Sequence, residues 1–207
     1  MTSQLITGYF LNDHARVHRA SVSGRDRPTQ LDRLIEGLAE DQIRAIPEGA
    51  ANSIAWLVFH TTRCEDAAFN VVLAGEPQVF DQNDWQARTK IQRRDIGTEM
   101  TAKEVEELSS TVNIPALLDY RDAVGRRTEE IVLQKSVAFW DELVDPARLS
   151  VADAQGVVTE MAEWVRERNW NEEKPNAWFL WLATSHTMWH FGEARETRRI
   201  VSGLRMA

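Results

Sequence analysis

Apolar residues recur along this chain at intervals of three and four, and β-branched stretches that alternate with polar residues between tight turns are scarce. That pattern predicts helices. A first helix is expected through YFLNDHARVHRAS, broken near Gly24 and Pro28 before PTQLDRLIEGL resumes the helical period. Pro47 and Gly49 then mark a loop. Asn52 or Ser53 can cap a second helix, SIAWLVFHTTRCEDAAFNVVLAG, that closes at Gly75. Residues 76–100, with Asp95, Gly97 and Trp85, read as a long polar connection rather than a packed element, and long connections in compact domains often border sites.

Further on, Thr101 with Glu104 forms a capping box, and Asn113 with Pro115 opens the longer helix PALLDYRDAVGRRTEEIVLQK. After the break at Asp145-Pro146, SVADAQGVVTEMAEWVRERNW predicts another helix. A last helix should run from about Pro175 to Ser202, with Gly203 at its end. There is no internal repeat. Four long helices with short extras predict an all-α helical bundle in one domain, residues 1–207.

Function must then come from what points inward. On a helix turning about 100° per residue, His186, His190 and Glu193 fall on the core-facing side with Phe179 and Ala183, opposite Arg195, Arg198 and Arg199, which read as a solvated face. On the second helix, Leu57, Thr61, Cys64, Ala68 and Val71 share one face and Arg63, Asp66 and Asn70 the other, with His60 at the core side of the boundary. A buried imidazole is driven to its neutral form, whose lone pair suits a metal. Two histidines at i and i+4 can bind one ion, and a third ligand from a neighbouring helix would leave a position open for water.

The five histidines include two such pairs. His14 and His18 lie among Asn12, Asp13, Arg16 and Arg19, so surface or pocket-rim positions are expected for them. Glu193 is a candidate catalytic residue as a proton shuttle, or else a partner orienting a histidine. Trp178, Trp181 and Trp189 could wall a substrate pocket, although aromatic residues at this spacing are more often core. Cys64, one turn from His60, could touch the site, but an inert buried thiol is the commoner outcome.

Several chemistries are set aside. Thr187 stands where the metalloprotease H-E-x-x-H needs glutamate, and the paired Glu-x-x-His of di-iron bundles is missing. No glycine-rich phosphate loop or G-x-S-x-G elbow occurs. The chain of 207 residues carries a formal charge of −8, which argues against nucleic-acid partners, while 43 % hydrophobic residues suffice for a core. A single cysteine excludes an intrachain disulfide framework. With neither a leader-like start nor an apolar run long enough to span a bilayer, the expectation is a cytoplasmic protein without a membrane partner.

NSIAWLVFHTTRCED followed by HTMWH, and the approach GLAEDQIRAIP, resemble the DinB-like (DinB/YfiT-like) metalloenzyme superfamily, most clearly over residues 31–75 and 178–201. The resemblance implies a four-helix bundle, commonly a homodimer, with one divalent ion on His60, His186 and His190. It also implies a metal-dependent enzyme acting on a small-molecule substrate: characterised members include isomerases and S-transferases that use low-molecular-weight thiols such as mycothiol or bacillithiol. Zinc, nickel or iron would suit three imidazoles, activating water or a thiol. The alternative is a non-catalytic helical module that binds a small molecule or a partner. The chain departs from the family pattern in its N-terminal His14/His18 pair and in the segment 146–174.

Overall fold

The computed structural model describes residues 3–203, and among them no β-strand occurs; a single bridge joins Leu143 to Pro175. Four helices form the frame: α1 (Ser3–Val17), α2 (Ile54–Asp66), α3 (Ile114–Gln134) and α4 (Thr187–Val201). Short helices at Ala20–Ser23, Gln30–Ile35 and Glu40–Arg44 connect α1 to α2. The expected all-α bundle is therefore present, and its helix starts follow the capping residues. The Ser53 hydroxyl accepts the amide of Trp56, the Asn113 side chain accepts that of Ala116, and Thr101 and Glu104 close a reciprocal box.

α2 is the axis of the molecule. Every residue from Ile54 to Asp66 is buried, because α3 and α4 pack directly against it while other segments cover the remaining sides. Its predicted polar face is consequently internal. Arg63 donates to the Tyr120 hydroxyl, to Gln78 and to the Arg94 carbonyl, while Asp66 accepts the Tyr120 hydroxyl and the amides of Val79 and Phe80. Only Arg63 Nε is left without a partner, and a buried ion-pair network of this kind fixes position more than it adds stability. It holds the start of the 76–100 segment against the bundle.

That segment differs from the expected loose connection. It contains helical turns at Val79–Asp81 and Trp85–Thr89, and Phe80, Trp85, Ile91 and Ile96 are buried. Four large apolar side chains spread along a polar stretch were enough to anchor it. The helix expected over residues 150–170 is likewise replaced by shorter pieces, Pro146–Ala154, Glu160–Ala162 and Glu163–Arg168. The chain turns at Gly156 so that Val157 and Val158 enter the core with Ala152 and Val165.

Both long helices that carry candidate ligands contain a π-helical stretch. α2 continues through Ala67–Ala74 in this wider form, ending at Gly75. The last helix is composite: a 3-10 turn over Asn176–Trp181, a π turn over Leu182–His186, and then α4. Inserted residues of this kind shift the register of the side chains that follow, and they occur frequently at functional sites. Here the shift falls at His186.

Candidate metal centre

Ser53 starts α2 two turns before His60, so the imidazole emerges from the buried middle of the molecule. His186 closes the π turn, and His190 follows one turn into α4. One nitrogen from each of the three lies within 4.8 Å of the others. His60 is buried, whereas His186 and His190 are partly exposed to a cavity. The structure thus brings together the three residues expected as ligands.

Hydrogen bonds on the outer nitrogens of His60 and His190 turn their Nε2 atoms inward. His60 Nδ1 lies 2.6 Å from the Ile96 carbonyl oxygen, which can only accept, so Nδ1 carries the proton and Nε2 keeps its lone pair. His190 Nδ1 lies 3.0 Å from Glu193 Oε2, with the same consequence for its Nε2. The Nε2 atoms of His186 and His190 are 3.2 Å apart. With the His190 proton on Nδ1, His186 Nε2–H can donate to the lone pair of His190 Nε2, and a cation that replaces that proton would be shared by both rings. His186 Nδ1 is buried without a hydrogen bond of ordinary geometry.

Burial, reinforced by the neighbouring His190, pushes the pKa of His60 down to about 4. Burial together with His60 and His190 pushes that of His186 down to about 2. Both are neutral at physiological pH, the form that binds a metal. The donor set fits a divalent transition ion. Three imidazoles with a cavity on one side would leave such an ion room for a further ligand, and the histidine-rich set alone does not choose the metal.

The cavity measures about 450 Å³, within the range of small-molecule pockets. Trp56, Trp164, Trp170, Trp181 and Trp189 line it beside the histidines. The Trp56 ring stacks parallel on His60 at 5.0 Å, and Trp181 meets His186 edge-on at 4.9 Å. Of the tryptophans predicted as a wall, Trp181 and Trp189 belong to it and Trp178 does not. Trp56, Trp164 and Trp170 were not anticipated, because they come from three other segments. Glu99 was also missed. It is a non-glycine residue at φ +64°, and its carboxylate accepts the indole N–H of Trp164.

Glu193 lines the same cavity while holding His190, which makes it an orienting partner. Cys64 packs with its sulfur 3.8 Å from His60 Nε2, and burial raises its pKa, so the thiol stays protonated. Arg198 is not a purely solvated residue, because it donates to the carbonyls of Leu34 and Glu36 and ties α4 to the Gln30–Ile35 helix.

The other histidine pair is where the sequence expectation fails outright. His14 and His18 are fully buried, not surface or rim residues. Both Nε2 atoms donate to one carboxylate, that of Glu65 on α2, at 2.8 and 3.0 Å. His18 packs so closely on α3 that a Cβ at Gly125 would stand 2.4 Å from its Nδ1. Burial opposes the charge on His14, but Glu65 and Glu129 outweigh it and raise its pKa. Burial pushes His18 down to about 3, against Glu65 and aided by the charge of Arg121. His14, Glu65, Glu129 and Arg121 then form a charge-balanced network in the core. Both histidine Nδ1 atoms stay without a hydrogen bond of ordinary geometry, and the ligand atoms of His14, His18 and Glu65 lie within 4.8 Å of one another, a second group that could hold an ion.

A sequence profile of the DinB superfamily matches residues 25–194, a span that includes His60, His186 and His190 and leaves out His14 and His18. A comparison with curated proteins finds no match. Among solved structures, one described as the conserved protein of locus from Enterococcus faecalis aligns with a TM-score of 0.64 at 18 % identity, covering 98 % of this chain and 99 % of that one, which bears on the fold alone. With helical architecture and family profile in agreement, the chain belongs to the DinB superfamily.

Proposed function

We propose that this protein is a metal-dependent enzyme in which His60, His186 and His190 hold one divalent transition ion beside the tryptophan-lined cavity. The observation that supports this reading is the convergence of three imidazoles on a pocket of about 450 Å³, with room for a further ligand on the cavity side. A divalent ion there would supply Lewis acidity, making a water or a small thiol nucleophilic near neutral pH. The protein's own part is positioning. The Ile96 carbonyl and Glu193 fix the tautomers of His60 and His190, and the tryptophans give the reacting partner an aromatic wall.

Glu193 is also a carboxylate on the cavity wall that can take up or return a proton at Oε1, the oxygen not engaged by His190 Nδ1. Transferase, isomerase and hydrolase chemistry all fit such a centre. Incubating protein reconstituted with zinc, nickel or ferrous ion with small thiols and electrophilic acceptors, and with activated esters, should reveal metal-dependent turnover that His60→Ala lacks. Turnover equal in both proteins would contradict the proposal. So would the absence of turnover from every pairing, which would favour a module that binds a small molecule without converting it.

A further inference from the structure

The charge lining the cavity has one sign. Its charged side chains are Glu99 and Glu193, and among the described residues that form its walls there is no lysine or arginine. Arg121, whose charge is felt at His186, lies behind Phe191, fully buried and donating to the Val17 carbonyl. A ligand bearing a carboxylate or phosphate away from the metal would find no counter-ion here. It would also face two carboxylates of the same sign on the cavity rim.

The remaining surface is unusually aromatic. Five of the chain's eight tryptophans line one cavity, and two of them, Trp164 and Trp189, remain exposed on its walls, Trp189 at 70 %. Indole is the side chain that attracts organic cations most strongly, and aromatic boxes edged by carboxylates are the usual receptors for alkylated ammonium groups. Glu99 belongs to this arrangement. Its carboxylate is bonded to the indole N–H of Trp164, and its backbone is held in the left-handed region that a glutamate rarely adopts.

We infer that the cavity is built for a small organic cation, a ligand whose protonated or alkylated nitrogen sits among the tryptophans against Glu99. This inference deepens the proposed function and rests on the cavity being the site of that reaction. A dication on the histidines and a ligand cation near Glu99 are compatible because the two carboxylates lie in the same cavity and offset their repulsion.

The test compares ligands of one shape and different charge on zinc-reconstituted protein, using quenching of tryptophan fluorescence. The probes are choline and its uncharged carbon isostere, in which a tert-butyl group replaces trimethylammonium. Choline should bind about tenfold more tightly than the isostere. Glu99→Gln should remove most of that advantage while zinc content, measured on the same samples, is unchanged. Equal binding of choline and the isostere, or no binding of choline, would each overturn the inference. Because zinc content is read separately, loss of the metal centre would be recognised as failure of the underlying proposal instead.

Discussion

The Nδ1 atom of His60 lies 2.6 Å from the carbonyl oxygen of Ile96, so a residue of α2 takes its tautomer from a connection that begins beyond the end of its own helix. The contact depends on the next residue. Gly97 has φ +80°, and a Cβ there would stand 2.7 Å from the Phe59 ring. Gly97→Ala must therefore displace the Ile96 carbonyl or the ring. Metal affinity is expected to fall roughly tenfold, the lower end of the effect of losing a partner behind a ligating histidine. Competition with a chromophoric chelator reads it directly, and unchanged affinity would show that the carbonyl does not position His60.

Glu193 acts on His190 in the same manner but from a side chain, which allows a cleaner substitution. Glu193→Gln keeps the shape and can still accept from Nδ1 through its amide oxygen, though without charge, whereas Glu193→Ala removes the acceptor. Affinity should decrease in the order wild type, Gln, Ala, with Ala weaker by about 10- to 100-fold. Equal affinity in all three proteins would leave Glu193 without an orienting role.

The buried pair of His14 on α1 and His18 just after it gives a pH signature. His18 has its folded pKa depressed to about 3, so on acidification below about 6.5 the unfolded chain takes up a proton that the folded protein refuses. Stability is lost progressively between those two values. His14 has the opposite sign, because its raised pKa adds stability below about 6.5 that disappears as pH rises through its folded value. Replacing His18 by glutamine should flatten the acid limb by one proton, about 1.4 kcal/mol per pH unit. Urea unfolding of metal-free wild type and His18→Gln from pH 6.5 to pH 4 measures the difference, and parallel curves would contradict the assigned protonation states.

How far the site could be read from the sequence follows from how its parts are spaced. His186 and His190 share a helix, and His60 lies on a strongly patterned one, so their inward direction was visible from the helical period. The same period would have placed His14 and His18 inside. Phe10, His14, Val17 and His18 form one stripe, while Asn12, Asp13, Arg16 and Arg19 occupy other faces. The misleading signal was the polarity of neighbours along the chain, which says little about the opposite side of a helix. Glu65, their partner, lies 47 and 51 residues away and has no local mark.

The cavity was harder to anticipate. Trp56, Trp164 and Trp189 come from α2, from the short Glu163–Arg168 helix and from α4, and only tertiary packing puts them on one surface. The expected single helix over residues 150–170 would have aimed Trp164 differently. Its break near Gly156 depends on Val157 and Val158 finding core, a non-local contact that periodicity does not encode. The buried anchors of residues 76–100 were hidden by their polar neighbours in the same way.

Elemental analysis of untagged protein, alongside His60→Ala, His186→Ala and His14→Ala, tests the central claim most directly. One divalent transition ion per chain is predicted in the wild type and in His14→Ala, with loss of stoichiometric metal in the other two. Full occupancy after removal of His60 or His186, or a wild-type protein that stays metal-free after reconstitution, would contradict the metal centre.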